Sequence, residues 1–243
     1  MPFWYCDDGQ AICRPEDVDL LLECLDAAAA NVGATRGEGS DVKSFVRLVG
    51  HADALAVFDQ EWVTDRISRT CKIGAPNAHC EVLGAMAGPP SACTAQFRER
   101  ILALQSLHQS LGEISDPAVE LTLGRACANV SKVTHLLRSN GHQIDSDALA
   151  LHDEAMDAFL DSTLGGELPD NALAQAALGV GHGGLGFRRA SSLAKSAFVA
   201  SRVEARPFVE RLFNAMAAQD VLVPAIADSS LRSASGDCRA GAL

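Results

Sequence analysis

The residues most able to do chemistry are two adjacent carboxylates near the N-terminus, Asp7 and Asp8. They follow the apolar aromatic run 2–5 and precede Gly9, a pattern that predicts a strand, a tight turn and a second strand over 11–13. Two carboxylates on such a turn can bind a divalent ion through their oxygens, and two-metal phosphoryl transfer uses carboxylates in this way. The alternative is an ordinary acidic turn, because Asp-Asp-Gly is also favourable turn chemistry.

Three further patterns have simpler interpretations. His152 and Asp153 could do acid–base chemistry, but we interpret this histidine as a surface residue of an acidic amphipathic helix over 145–164. Residues 179–184 satisfy the G-x-G-x-x-G pattern, yet a helix precedes them where dinucleotide binding requires a strand. The eight cysteines include no Cys-X-X-Cys pair. Their spacing argues against a zinc site and favours reduced, buried thiols.

Charge is distributed unevenly along the chain, whose net charge is −11. Residues 143–170 contain eight acidic residues and no Lys or Arg, whereas residues 186–213 contain six basic residues. The overall acidity argues against a free-standing nucleic-acid binder, because affinity for the phosphate backbone comes from cations. The basic segment could still form a local binding face, and the alternative is a solvated helix surface.

The elements that would position these residues are mostly helical. Hydrophobic residues make up 48% of the chain with a single Tyr, which favours helix packing over a large sheet. Helical spacing and capping signals predict helices over 15–33, 94–111, 115–138, 145–164, 168–178 and 207–218, with another that Ser191 or Ser192 can cap. Strand patterns occur at 42–49 and 80–84. The predicted fold class is α+β, predominantly helical, with a small antiparallel remnant and a helical bundle. No membrane span is expected, because no run of eighteen apolar residues occurs.

The sequence Phe-Trp-Tyr-Cys-Asp-Asp-Gly at 3–9 resembles the Tyr-X-Asp-Asp hairpin of reverse transcriptases. Later segments resemble, in the same order, the region downstream of that hairpin in non-LTR retroelements. Lys43 resembles the lysine near the nucleotide phosphates. Cys80–Gly84 resembles the junction of palm and thumb, and Arg125–Arg138 resembles the thumb helix ending in Leu-Leu-Arg. Gly183–Arg188 with Ala197–Ser201 resembles a Gly-Gly-Leu-Gly segment that follows the thumb.

The resemblance implies the C-terminal half of such an enzyme, an RNA-directed DNA polymerase that uses Mg²⁺. Residues 1–92 would be a partial palm, 93–142 thumb-like helices, 143–227 a helical extension and 228–243 a flexible tail. Asp7 would be the principal metal ligand and Asp8 a supporting one, and Lys43 would lie near the nucleotide. Arg125, Lys132 and Arg138 would contact the RNA/DNA template–primer. Arg188 and Arg189, in the basic C-terminal segment, are two further candidates for binding nucleic acid.

The third catalytic carboxylate and the fingers would lie before residue 1, so we expect no polymerase activity from this chain and weak or absent Mg²⁺ binding. Two alternatives remain open: a noncatalytic helical module that binds RNA or protein, and a decayed retroelement remnant with no selected role. For each proposed cation the alternative is an ordinary exposed side chain. Phe3, Trp4 and Phe45 would normally be covered by the missing strands, which predicts self-association.

Overall fold

The computed structural model describes residues 2–5, 8–11, 13–37, 44–47, 63–75 and 79–217. In these residues the fold is predominantly helical with three two-stranded sheets, which confirms the predicted α+β class. The chain divides into two compact units, Met1–Cys80 and Glu81–Leu243. The domain boundaries predicted after residues 92 and 142 both fall inside the second unit. The tail predicted over 228–243 lies outside the described residues.

The first unit begins with a hairpin at the acidic motif. Strand β1 (Pro2–Tyr5) pairs antiparallel with β2 (Asp8–Ala11), and Tyr5 stands opposite Asp8. The second strand therefore starts earlier than the predicted 11–13, and that prediction is wrong. The reason is the register, since the paired residues Tyr5 and Asp8 are separated by two residues, the commonest length of a hairpin connection.

A helix and a short parallel pair complete the described part of the first unit. Helix α1 (Val18–Asn31) contacts α2 (Asp65–Thr70), and β3 (Phe45–Arg47) pairs in parallel with β4 (Lys72–Gly74). The predicted remnant is antiparallel, so this pair differs from it. Parallel strands need a long connection between them, and α2 lies between these two in the sequence. Four buried residues form the core of this described part: Val18, Leu22, Ile67 and Cys71.

The second unit is a helical bundle. Two short hydrogen-bonded strands precede the helices: β5 (Cys80–Val82), which begins at the last residue of the first unit, and β6 (Ala85–Ala87). The helices then follow in this order: α3 (Pro90–Gly112), α4 (Pro117–Cys127), α5 (Thr134–Asn140), α6 (Ser146–Leu164), α7 (Asp170–Ala176) and α8 (Ala190–Ala217).

Local capping explains where several of these helices start and stop. Asp116 accepts hydrogen bonds from the N–H groups of Ala118 and Val119, which fixes the start of α4 as predicted. Asp145 caps α6 through the N–H of Ala148, and Gly165, in the left-handed region, ends that helix. The apolar face predicted for α6 is buried, and it consists of Leu149, Met156, Phe159 and Leu160.

Two predicted helices have different limits in the structure. The single helix predicted over 115–138 ends at Cys127, and α5 begins only at Thr134. Asn129 interrupts it, because its side-chain oxygen accepts the N–H of Val130, a local bond that competes with helix geometry. Conversely, α8 continues through Pro207 where a boundary is predicted. Pro207 is exposed, so water can bond the carbonyl that its missing N–H leaves free.

Helices α5 and α8 pack closely where the chain leaves α5. A β-carbon built on Gly141 would lie 2.5 Å from the carbonyl oxygen of Ala194 in α8. Next to this contact, the ring of His142 stacks on Phe198 with 3.9 Å between ring centroids. Only a glycine at position 141 allows the backbones of α5 and α8 to approach this closely.

Candidate nucleic-acid interface

The most distinctive local structure in the bundle is a closed loop between α7 and α8, which we call the glycine loop (residues 176–187). The carbonyl of Ala176 accepts the N–H groups of Leu185 and Phe187, both at 3.1 Å, and Gly186 donates to the carbonyl of Leu178 at 2.8 Å. The ends of the loop are therefore joined by backbone hydrogen bonds. Compact loops with adjacent ends often carry function.

The glycine loop is anchored to the bundle at three points. Phe187 and Ala176 are buried, and the Phe187 ring lies 5.8 Å from that of Phe159 in α6. Asn129 donates from Nδ2 to the carbonyl of Gly186 at 2.8 Å. This asparagine thus ends α4 and also holds the loop, a role that the sequence analysis missed because its partner is 57 residues away.

Three of the predicted cations lie on the segments that form or hold this loop. Arg125 of α4 packs on it, since a β-carbon built on Gly186 would lie 3.1 Å from Cδ of Arg125. Arg188 directly follows the loop. Its Nη2 atom would lie 3.8 Å from a β-carbon built on Gly179. Lys132 is in the 3₁₀ turn at 130–132 that follows Asn129. All three are exposed.

These three cations have no ion pair or side-chain hydrogen bond with any residue of the described ranges. They are therefore available to an external anion. Their position also changes the thumb interpretation, because Arg125 and Lys132 occupy separate elements and not one continuous helix.

The other two predicted cations are already paired within the bundle. Arg138 contacts Glu204 of α8 at 2.7 Å, and Arg189 contacts Asp157 of α6 at 3.0 Å. Burial raises the pKa of Asp157 above its ordinary value, although the guanidinium of Arg189 opposes this shift. Arg138 and Arg189 are thus less available for phosphate than Arg125, Lys132 and Arg188.

The predicted polymerase site cannot be assembled from the described residues. Asp7, Lys43 and the side chain of Asp8 lie outside them, and the backbone of Asp8 opens β2. Within the described ranges, no three His, Cys, Asp or Glu side chains are grouped as metal ligands. The described residues therefore support no catalytic step that uses Mg²⁺.

Of the aromatic residues predicted to drive self-association, Phe45 is 43% exposed. Self-association stays a prediction.

A buried polar network joins α6 to the start of α8. The carboxylate of Asp153 accepts the N–H of Ala190 at 2.7 Å, the hydroxyl of Ser191 at 2.5 Å and Nδ1 of His152 at 3.3 Å. Burial raises the pKa of Asp153, but these hydrogen bonds outweigh it, and the pKa lies below its ordinary value. Nε2 of His152 has no partner among the described residues.

This network corrects two predictions. His152 is fully buried and Asp153 is 5% exposed, so the surface interpretation of this histidine is wrong. Ser191 and Ser192 do not precede the helix as caps, because α8 already begins at Ala190 and Asp153 receives its first N–H. The order Ser191–Asp153–His152 places the carboxylate between the other two groups. A nucleophile triad needs the histidine there, so we assign the network a structural role.

Comparison with protein families, with curated proteins and with solved structures gave no match to this chain. Among the described helices, none is both long and apolar enough to cross a membrane.

Proposed function

We propose that this chain binds nucleic acid through exposed cations near the glycine loop and that it is the C-terminal part of a retroelement reverse transcriptase, without polymerase activity of its own. The observation that carries the binding proposal is that Arg125, Lys132 and Arg188 are exposed and have no ion pair with any described residue. Arg125 and Arg188 lie against one closed loop. The reverse-transcriptase origin rests on the acidic hairpin motif and on the order of the later segments.

The expected binding is weak and depends strongly on salt. Each phosphate neutralised by a cation releases a counterion, so three contacts predict a slope of about −2 in log affinity against log salt for a single strand. The net charge of −11 opposes association at long range. Binding should therefore be measured at low salt first.

Removing two of the unpaired cations should weaken binding. The double substitution Arg125→Gln with Arg188→Gln removes two proposed phosphate contacts, so we expect affinity for a short RNA to fall about tenfold and the salt slope to decrease by about 1.4. Fluorescence anisotropy of a labelled RNA, titrated at several salt concentrations, measures both quantities.

A matched control removes the same charge elsewhere. Arg100 and Arg206 are exposed and each faces a carboxylate, Glu81 at 4.0 Å and Glu210 at 2.7 Å. The pair Arg100→Gln with Arg206→Gln should change affinity by less than about twofold, because these cations are not at the loop. Equal losses in the two double variants would show that only net charge matters and would contradict the proposed interface.

The polymerase chemistry of the resembled family should be absent. The motif supplies two carboxylates, whereas two metal ions and a triphosphate require more ligands and a clamp on the substrate. We expect no primer extension by the purified chain on poly(rA)/oligo(dT) with Mg²⁺ and deoxynucleotides. Extension that is lost in Asp7→Asn would overturn this expectation and would place the catalytic site in the chain itself.

A further inference from the structure

We infer that the glycine loop recognises single-stranded nucleic acid in preference to duplex, an inference that rests on the proposed function. The loop exposes three large apolar side chains close to Arg125 and Arg188. Leu178 is 48% exposed, Val180 57% and Leu185 37%. None of the three is held in the two core clusters of the bundle.

The apolar and cationic groups meet at one glycine. A β-carbon built on Gly186 would lie 3.8 Å from Cγ2 of Val180 and 3.1 Å from Cδ of Arg125. Leu178 is tied to the same residue, since its carbonyl accepts the N–H of Gly186. Leu185 directly precedes Gly186. The surface around Gly186 therefore combines a guanidinium with aliphatic groups over a short distance.

This combination fits an unpaired strand better than a duplex. A duplex presents phosphates and sugars outward and keeps its base faces stacked inside, so aliphatic side chains gain little contact with it. An unpaired strand offers both its phosphates and the apolar faces of its bases. Arg125, Lys132 and Arg188 supply the charge complementarity to the phosphates, and Leu178, Val180 and Leu185 supply contacts for the bases.

The test compares one labelled RNA, without self-complementarity, as a single strand and annealed to its complement. By fluorescence anisotropy at one salt concentration, we expect the 243-residue chain to bind the single strand about tenfold more tightly. The substitutions Val180→Ser with Leu185→Ser should remove most of this preference, leaving duplex affinity and the salt slope unchanged because no charge is lost.

A matched control uses exposed apolar residues elsewhere in the bundle. Leu102 in α3 and Val203 in α8 are 65% and 66% exposed, and Leu102→Ser with Val203→Ser should leave the preference intact. Circular dichroism establishes that each variant folds. Equal affinity of the wild type for single strand and duplex would overturn this inference and leave the proposed function standing. Absence of binding to both forms would overturn the proposed function as well.

Discussion

Asp153→Ala should lower the free energy of unfolding of the second unit by about 3 kcal/mol. The carboxylate is 5% exposed and accepts three hydrogen bonds, from Ala190, Ser191 and His152. Its removal leaves the first N–H of α8, a hydroxyl and a fully buried imidazole without their acceptor. Water cannot replace that acceptor at so buried a position without disturbing the contact between α6 and α8.

Urea denaturation followed by far-ultraviolet circular dichroism measures this loss. The neighbouring Glu154 is exposed on the same helix and has no ion pair with a described residue, so Glu154→Ala is the control and should change stability by less than about 0.5 kcal/mol. If the two variants unfold at the same urea concentration, the buried network does not stabilise the bundle.

The pH dependence of the same variant gives a second readout. The folded pKa of Asp153 is below its ordinary value, so the stability that it contributes is present above the unfolded pKa, about 3.9. This contribution is lost as the pH falls through the folded pKa. The acid limb of the wild-type stability curve should therefore be steeper than that of Asp153→Ala.

Gly141→Ala should destabilise the contact between α5 and α8 by about 2 kcal/mol. The added methyl group would lie 2.5 Å from the carbonyl oxygen of Ala194. The carbonyl oxygen of Leu137, in α5 itself, is also in close contact with that position. Both neighbours are backbone, so no side chain can rotate away, and the turn after α5 and its contact with α8 must both shift. This shift would also disturb the adjacent stacking of His142 on Phe198.

Gly112→Ala is the control for this substitution, and we expect it to raise the stability of the bundle. Apart from its chain neighbours and the backbone of its own helix, nothing lies within 4 Å of a β-carbon built on Gly112 at the end of α3. The change therefore restricts the unfolded chain without a clash and should stabilise by about 0.5 kcal/mol. Thermal unfolding of both variants measures the difference. A melting temperature of Gly141→Ala at or above that of the wild type would disprove the close helix contact.

The parts of the fold that were predicted correctly depend on neighbouring residues in the sequence. Asp116 followed by Pro117 predicts the start of α4, and the apolar spacing from Leu149 to Leu160 predicts the buried face of α6. Gly165 predicts where that helix ends. Each signal acts within one helical turn or over one periodic face, so it can be identified without knowledge of the tertiary structure.

Two of the missed features involve bonds whose partners are far apart in the sequence. Asn129 is an unremarkable residue of a predicted helix until its contact with Gly186 is known. His152 lies on a helix with many acids, which suggests exposure, yet α8 covers this position through the bond from Ala190 to Asp153. Periodicity cannot reveal such bonds, since it reports one element at a time.

The sequence by itself determined the helical character of this protein, the acidic hairpin near its start and the set of cations that could bind phosphate. Only the tertiary structure decided which of those cations are available. Arg138 and Arg189 are paired with carboxylates 66 and 32 residues away, whereas Arg125, Lys132 and Arg188 are exposed and unpaired among the described residues. The physical reason is that an ion pair depends on distance in space, which packing of the helices sets and local sequence does not.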